Sequence, residues 1–325
     1  MADTTIPDSP RGRAVETRLA FQVAAGTLAI AGWKPARFYS LTGGMPRSKV
    51  KDDKLGVPTQ NTRESTKRRR GLPGGSLRRV VPINMVEAGY WLSAGFHRAA
   101  PAGAGAEFEH VFTTGSKPSA LLSLATKYDS GDFGVEQDVA VAEIQISAAK
   151  TEQTARVSLT LVSLKADKPG AWPAGALSAA AADDDFSDWQ WRVLWNDVAV
   201  GDATNLDLTI TLGVERIQGL SGDVWPTRHH FGEVDVTGSF RLYGRGKTFR
   251  DFADSDDVGV LTLEAVDPLD TSRFLRIVKS NVQFEEPQDE TEGGGQLSAN
   301  FTYSAAQDAD TPAVSITLGN SVAAY

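Results

Sequence analysis

Residues 139–164 read VAVAEIQISAAKTEQTARVSLTLVSL, two runs with an apolar side chain at every second position, separated by a polar turn. Successive side chains of a strand point to opposite faces, so this period of two reads as an antiparallel hairpin lying on a core. Residues 274–303, FLRIVKSNVQFEEPQDETEGGGQLSANFTY, give the same arrangement with a longer acidic turn. Ile144, Gln145 and Ile146 match Val282, Gln283 and Phe284 at an offset of 138, and Val157 and Ser158 match Leu297 and Ser298 at 140.

Working outward, the repetition continues. LLSLATKYD (Leu121–Asp129) matches GVLTLEAVD (Gly259–Asp267) near offset 138, and GGSLRRVV (Gly74–Val81) resembles FGEVDVTG (Phe231–Gly238) at 157. The stretch AAPAGAGA (Ala99–Ala106) interrupts the first half only and explains the extra spacing. Alternating strand text resembles itself readily, and duplication is favoured because order and loop placement agree as well. The sequence thus predicts an all-β chain with one or two short helices, built as two antiparallel sandwich or barrel halves with long loops. Its parts are an N-terminal arm (1–33), a first β domain (34–168), an Ala/Gly/Pro-rich linker (169–187) and a second β domain (188–325).

Composition fits this plan. At 325 residues and 41% hydrophobic, the chain can bury one large core or two ordinary ones. It has no Cys, which excludes disulfides, thiolate metal sites and Cys nucleophiles. Arg11–Trp33 is the one candidate targeting run, but Gln22, Gly26 and Thr27 interrupt it and it is too short to span a bilayer. An ordered arm packed on the core or on a neighbour is the preferred reading over a signal peptide.

Charge is unevenly spread. Arg47, Lys49, Lys51, Lys54, Arg63, Lys67, Arg68, Arg69, Arg70, Arg78 and Arg79 stand against three acids in that segment, which leaves 22 bases against 38 acids elsewhere. The segment to Gly75 is thick with Pro, Gly and charge and reads as a long loop or extended hairpin. It is either a solvated loop, a nucleic-acid contact or a dock for an acidic surface of another copy.

Helical spacing at Met85, Ala88, Trp91 and Leu92 places a short helix in Asn84–Gly95, and Thr248–Ala253 is its counterpart. A second loop, SGDVWPTRHHF (Ser221–Phe231), carries Trp225 and Arg228 and sits where the basic loop sits in the first half. Trp189, Trp191 and Trp195 alternate with Val193 on one strand face, a pattern for core or interface packing before sugar stacking. The final VSITLG (Val314–Gly319) adds a strand.

No reactive constellation is visible. His229 and His230 are adjacent, so in a strand they point apart and cannot share a metal; His97 and His110 stand alone. The acidic clusters at Asp183–Asp185, Asp254–Asp257 and Glu285–Glu292 lack the spacing of a calcium loop and read as charged turns. There is no phosphate loop, dinucleotide fingerprint or nucleophile elbow. Neither enzyme activity nor cofactor is expected.

The order of the arm (VETRLAFQVAAGT), the Arg-rich loop before a strand (TRESTKRRRGLPGGSLRRVV), FEHVF at Phe108–Phe112 and the run LWNDVAVGDATNLDLTITLGVERIQGL resembles the major tail tube proteins of long-tailed, siphovirus-like bacteriophages. The resemblance runs from about Val15 to Gly319. It implies orthogonally packed antiparallel sheets with a flanking helix, in rings of sixfold or pseudo-sixfold symmetry stacked head to tail. Two tube-type halves per chain imply three chains per ring, with six as the alternative. It further implies a virion protein assembled in the host cytoplasm, DNA or a tape-measure protein in the lumen, and tail tip and terminator proteins as partners, without membrane insertion. The acidic remainder suits a conduit, since a wall that neutralised phosphates would hold DNA. Lys49, Lys51, Lys54, Arg63, Lys67, Arg68, Arg69, Arg70, Trp225 and Arg228 are the candidate contacts between subunits or rings. The competing readings are a nucleic-acid-binding protein using Lys67–Arg70, an outer-membrane β-barrel and a glycan-binding sandwich built on the tryptophans.

Overall fold

The computed structural model describes residues 15–50, 69–104, 107–128, 131–149, 153–167, 171–173, 185–201, 203–243, 247–255, 257–290, 298–308 and 311–325. In chain order these form β1 (Glu16–Phe21), β2 (Lys34–Pro35), β3 (Ser40–Gly43), β4 (Arg47–Val50), β5 (Arg69–Pro73), β6 (Leu77–Pro82), α1 (Ala88–Gly95), β7 (His97–Arg98), β8 (Ala102–Ala104), β9 (Glu107–Thr113), β10 (Leu122–Lys127), β11 (Phe133–Ala149), β12 (Arg156–Val162) and β13 (Lys165–Asp167). After a 3-10 turn at Asp188–Gln190 come β14 (Trp191–Trp195), β15 (Val198–Ala199), β16 (Ala203–Thr211), β17 (Val214–Ile217), β18 (Arg228–Phe231), β19 (Asp235–Tyr243), α2 (Lys247–Ser255), β20 (Gly259–Val266), β21 (Phe274–Phe284), β22 (Gln288–Glu290), β23 (Ser298–Ala305) and β24 (Val314–Asn320). The fold is all-β and antiparallel, with two short helices.

One strand order occurs twice. Hydrogen-bonded neighbours run β10–β11–β12–β6–β3 in the first half and β20–β21–β23–β19–β16 in the second, with α1 after β6 and α2 after β19. The long middle strand is bent in both halves at a non-glycine residue with positive φ, Asp138 (52°) and Asn281 (51°). Asp and Asn are the side chains that best tolerate this left-handed region. Pairing slips identically beside them, from Leu122↔Val139 to Leu124↔Glu136 and from Gly259↔Val282 to Leu261↔Lys279. On the near side of the bulge β11 pairs with β13 and β21 with β24, and on the far side β11 pairs with β12 and β16 and β21 with β23, so each strand changes neighbours at the bend.

A second slip is also repeated. Val141↔Leu161 is followed by Glu143↔Thr160, and Phe284↔Tyr303 is followed by Gln288↔Asn300. β22 is therefore the continuation of β21 and the counterpart of the end of β11. The two slips fix residue equivalences that differ from the text matches: Val282 answers to Val139, not Ile144, and Tyr303 answers to Leu161. Alternating apolar strands match at several registers, and only the bulges choose one.

The halves are fused through backbone pairing. β16 lies along β11 from Asn205↔Ala149 to Thr211↔Glu143, and β24 lies between β21 and β9. One buried cluster runs through both, including Val141, Ile144, Leu212, Ile277 and Ile316. At this joint the helix comes close: a Cβ on Gly95 would stand 2.9 Å from Leu212 Cδ1. This shared cluster is the main core, since neither half has to cover its own joint face, and a second, small cluster of Ala20, Ala29, Trp33, Ala125 and Val135 lies under the arm.

Several local expectations shift. Glu16–Phe21 of the arm is strand β1, paired with β10 and β2 and burying Leu19 and Ala20, so this part of the arm packs on the core as a strand. Helix α1 starts at Ala88 because the Asn84 side chain accepts from the Val86 and Glu87 amides and holds those residues in a turn. Trp189 lies in the 3-10 turn and is half exposed, so it does not share a strand face with Trp191 and Trp195; Trp195 is buried against Phe249, Phe252 and Phe284. Of the linker, residues 174–184 lie outside the described residues, while Phe186 is buried and exchanges backbone hydrogen bonds with Ile83 and Ala155 of the first half. Tyr325 packs edge-on against Tyr90 and His110.

Candidate assembly surface

Among the strand edges that stay open in the described residues, two bound the long paired run β3–β6–β12–β11–β16–β19–β23–β22. β3 pairs only with β6, and an open groove of about 1200 Å³ runs beside it, lined by residues 39–43, by Glu16 and Thr17 of β1, and by Arg37 and Asp185. Arg37 and Asp185 form an ion pair at 2.7 Å, with Glu87 at 3.1 Å on the other side of the guanidinium. β22 pairs only with β23. Unpaired edges present a row of N–H and C=O groups ready to accept another strand.

Each half carries a hairpin that prolongs the same strand pair. β4–β5 extends β3–β6, with Gly44 N donating to Ser76 O and Gly74 N to Pro46 O. β17–β18 extends β16–β19, with Gly232 N donating to Gly213 O. The hairpin that carries Ser221–Phe231 thus takes the place in the second half that β4–β5, the described ends of the basic loop, takes in the first.

The candidate contact residues divide accordingly. Lys49 is exposed on β4, and the backbones of Arg69 and Arg70 lie on β5, with Lys49 opposite Arg70. Lys51, Lys54, Arg63, Lys67 and Arg68 fall outside the described residues. Arg228 is exposed at the start of β18, and Trp225 is half buried in the loop before it. The structure brings the two hairpins together: the guanidinium of Arg47 stands 5.0 Å from the centre of the Trp225 ring, a cation–π contact.

The second hairpin is clamped onto the first half at its corner. His229 Nε2 lies 2.5 Å from the carbonyl oxygen of Asp138, and Arg216 Nε donates to the Ser163 carbonyl at 2.6 Å. His230, next along β18, faces solvent, so the two imidazoles diverge as expected. Burial holds His229 below the ordinary imidazole range, which favours the neutral ring with its proton on Nε2 as donor. Beneath the hairpin, burial pushes the Glu136 carboxyl up to about 7 against the pull of Arg79 and Arg216. Arg79 itself is buried and pushed down to about 10 by desolvation.

Arg79, which the sequence groups with the basic segment, and Lys279, which no motif marks, are both fully buried. Strand parity signals them: Arg79 shares the phase of Leu77 and Val81, and Lys279 that of Leu275 and Ile277, so each charge sits on the core face of its strand.

Among the described residues no group of three or more His, Cys, Asp or Glu side chains is placed to hold a metal, and no helix is long and apolar enough to cross a membrane. Exposed acids, Glu285 and Glu286, follow directly on β21. The surface features that stand out among the described residues are the two edges that end the paired run and two hairpins of unlike charge.

No curated protein matches the sequence. The family model described as phage tail tube protein matches residues 60–305, which span most of both halves and the β11–β16 joint between them. With more than half of its length covered by that model, and with the antiparallel fold to go with it, the chain belongs to the phage tail tube protein family, the structural proteins of the phage tail.

Proposed function

We propose that this chain assembles with copies of itself into closed rings that stack head to tail as the tail tube, a conduit through which DNA passes into the host cell. Residues 34–168 and 188–325 act as two tube-forming domains, so three chains make one ring of six similar units. The observation that carries this reading is the β11–β16 pairing, by which one half continues the sheet of the other while, among the described residues, an open edge remains at each end of the run. A head-to-tail contact that closes gives a ring, and a second heterologous surface gives a stack.

In this reading the basic segment Lys49–Arg70, with Trp225 and Arg228, contacts neighbouring subunits or rings. DNA or a tape-measure protein fills the lumen, and tip and terminator proteins cap the ends. Assembly takes place in the host cytoplasm and the product is part of the virion. Electron microscopy of the purified protein tests the reading: rings or tubes with a central channel support it, and a persistent monomer at high concentration contradicts it.

A further inference from the structure

Resting on the ring reading, we infer that the joint between chains copies the joint inside the chain: β3 and the basic hairpin of one copy lie along the β22–β21 edge of the next, with Thr42 opposite Glu290 and with Arg47 and Lys49 beside Glu285 and Glu286.

The template is printed in the fold. Inside the chain β16 pairs Asp207 with Ser147 and Leu208 with Ile146, and the next link is Leu212 N to Ala142 O at 2.8 Å. β3 is the counterpart of β16, because Thr42 pairs with Arg78 where Asp207 pairs with Ser239, and Arg78 and Ser239 occupy equivalent places opposite Thr160 and Thr302. Exposure agrees: Thr42 and Asp207 face outward, while Leu41 and Leu206 turn toward the core. The two shared slips in β11 and β21–β22 make Glu290 the counterpart of Ser147 and Glu285 the counterpart of Ala142. The edge of β11 is taken by β16, whereas the equivalent edge of β22 is open among the described residues.

Chemistry at the two edges is complementary. Within the chain the Ser147 hydroxyl donates to the Asp207 carboxylate at 2.5 Å. Between chains the same register sets residue 42, a threonine, opposite residue 290, a glutamate. The internal hairpin β17–β18 runs on past Ala142 to clamp Asp138. Its basic counterpart β4–β5 then runs past Glu285 and Glu286 toward Asn281 of the neighbour, so a cationic hairpin meets the acidic tract EEPQDETE at 285–292. The open groove beside β3 is the space the incoming strand fills.

Because the chain has no Cys, disulfide trapping reads this joint directly. The double variant Thr42→Cys/Glu290→Cys, oxidised in full-length protein, is expected to give covalent species that stop at three chains. Each single variant stays uncrosslinked, and Ser147→Cys/Asp207→Cys crosslinks only within a chain. Rings that form without a 42–290 disulfide overturn the register but leave the ring reading standing; wild-type protein that forms no ring sinks that reading itself. As a second arm, Arg47→Glu/Lys49→Glu abolishes rings and added Glu285→Lys/Glu286→Lys restores them. Rings indifferent to the first charge reversal also overturn the inference.

Discussion

Asp138 and Asn281 occupy the same point in two long strands, each at a φ near +50° beside an identical slip of pairing. At each the strand changes neighbours, and each marks the start of an edge: the one after Asp138 is covered by β16, the one after Asn281 is open among the described residues.

Substitution at Asn281 reads the cost of that backbone. A β-branched or alanine side chain in the left-handed region costs about 1–2 kcal/mol, while glycine adopts it freely. Asn281→Ala is expected to lower stability by about that amount in urea denaturation, and Asn281→Gly to leave it nearly unchanged. Equal losses in both would show that the side chain, not the φ angle, matters there.

Lys279 makes stability depend on alkaline pH. Its ammonium is fully buried, 3.4 Å from the Tyr303 hydroxyl and 5.2 Å from that ring's centre, and desolvation lowers its pKa from 10.5 to about 7. Between about 7 and 10.5 the unfolded chain holds a proton the folded chain lacks, so stability rises with pH, by at most about 1.4 kcal/mol per unit. Burial holds Tyr303 above the ordinary phenol range, so above about pH 10 the unfolded chain loses a proton the folded one keeps, and stability falls again. Thermal melts from pH 7 to 10 should rise for the wild type and flatten for Lys279→Met.

Glu136 acts in the opposite sense at lower pH. Its carboxyl is raised to about 7 from 4.5, so its stabilising contribution is full below about 4.5 and is lost as pH rises through 7. Glu136→Gln should therefore reduce the fall in stability between those limits, measured by urea midpoints.

The aromatic cluster of the second half carries much of its packing. Phe284 meets Trp195, Phe240, Phe249, Phe301 and Tyr303 with ring centres 4.9–6.4 Å apart. Phe284→Ala is expected to cost about 3–5 kcal/mol, read as a shift of the urea midpoint.

Local periodicity carried a large part of this fold. The hairpin at 139–164, the strand Phe274–Phe284 and helix α1 follow from spacing alone, because burial of one face is a local property of the text, and α2 follows from its place in the repeat. The placement of β16 on β11 and of β24 on β9 was not legible. Pairing of strands far apart in sequence depends on which edge remains open after the others have paired, and alternation says nothing of that. The same limit displaced the repeat, since Val282 matches Ile144 as well as Val139 until the bulge at Asn281 decides. Of the candidate surface, Trp225 was legible as an aromatic in an exposed loop, but its stacking under Arg47 joins hairpins that only the fold brings together.

That contact tests whether the hairpins act as one unit. A double-mutant cycle of Arg47→Ala and Trp225→Ala should give a coupling of about 0.5–1 kcal/mol in folding stability. A coupling of zero would leave the hairpins independent.

In the proposed tube one chain supplies two of six similar units around the channel. Native mass spectrometry of a single isolated ring reads this stoichiometry. Three chain masses per ring are expected, and a ring of six chains would overturn the proposal that each chain supplies two units.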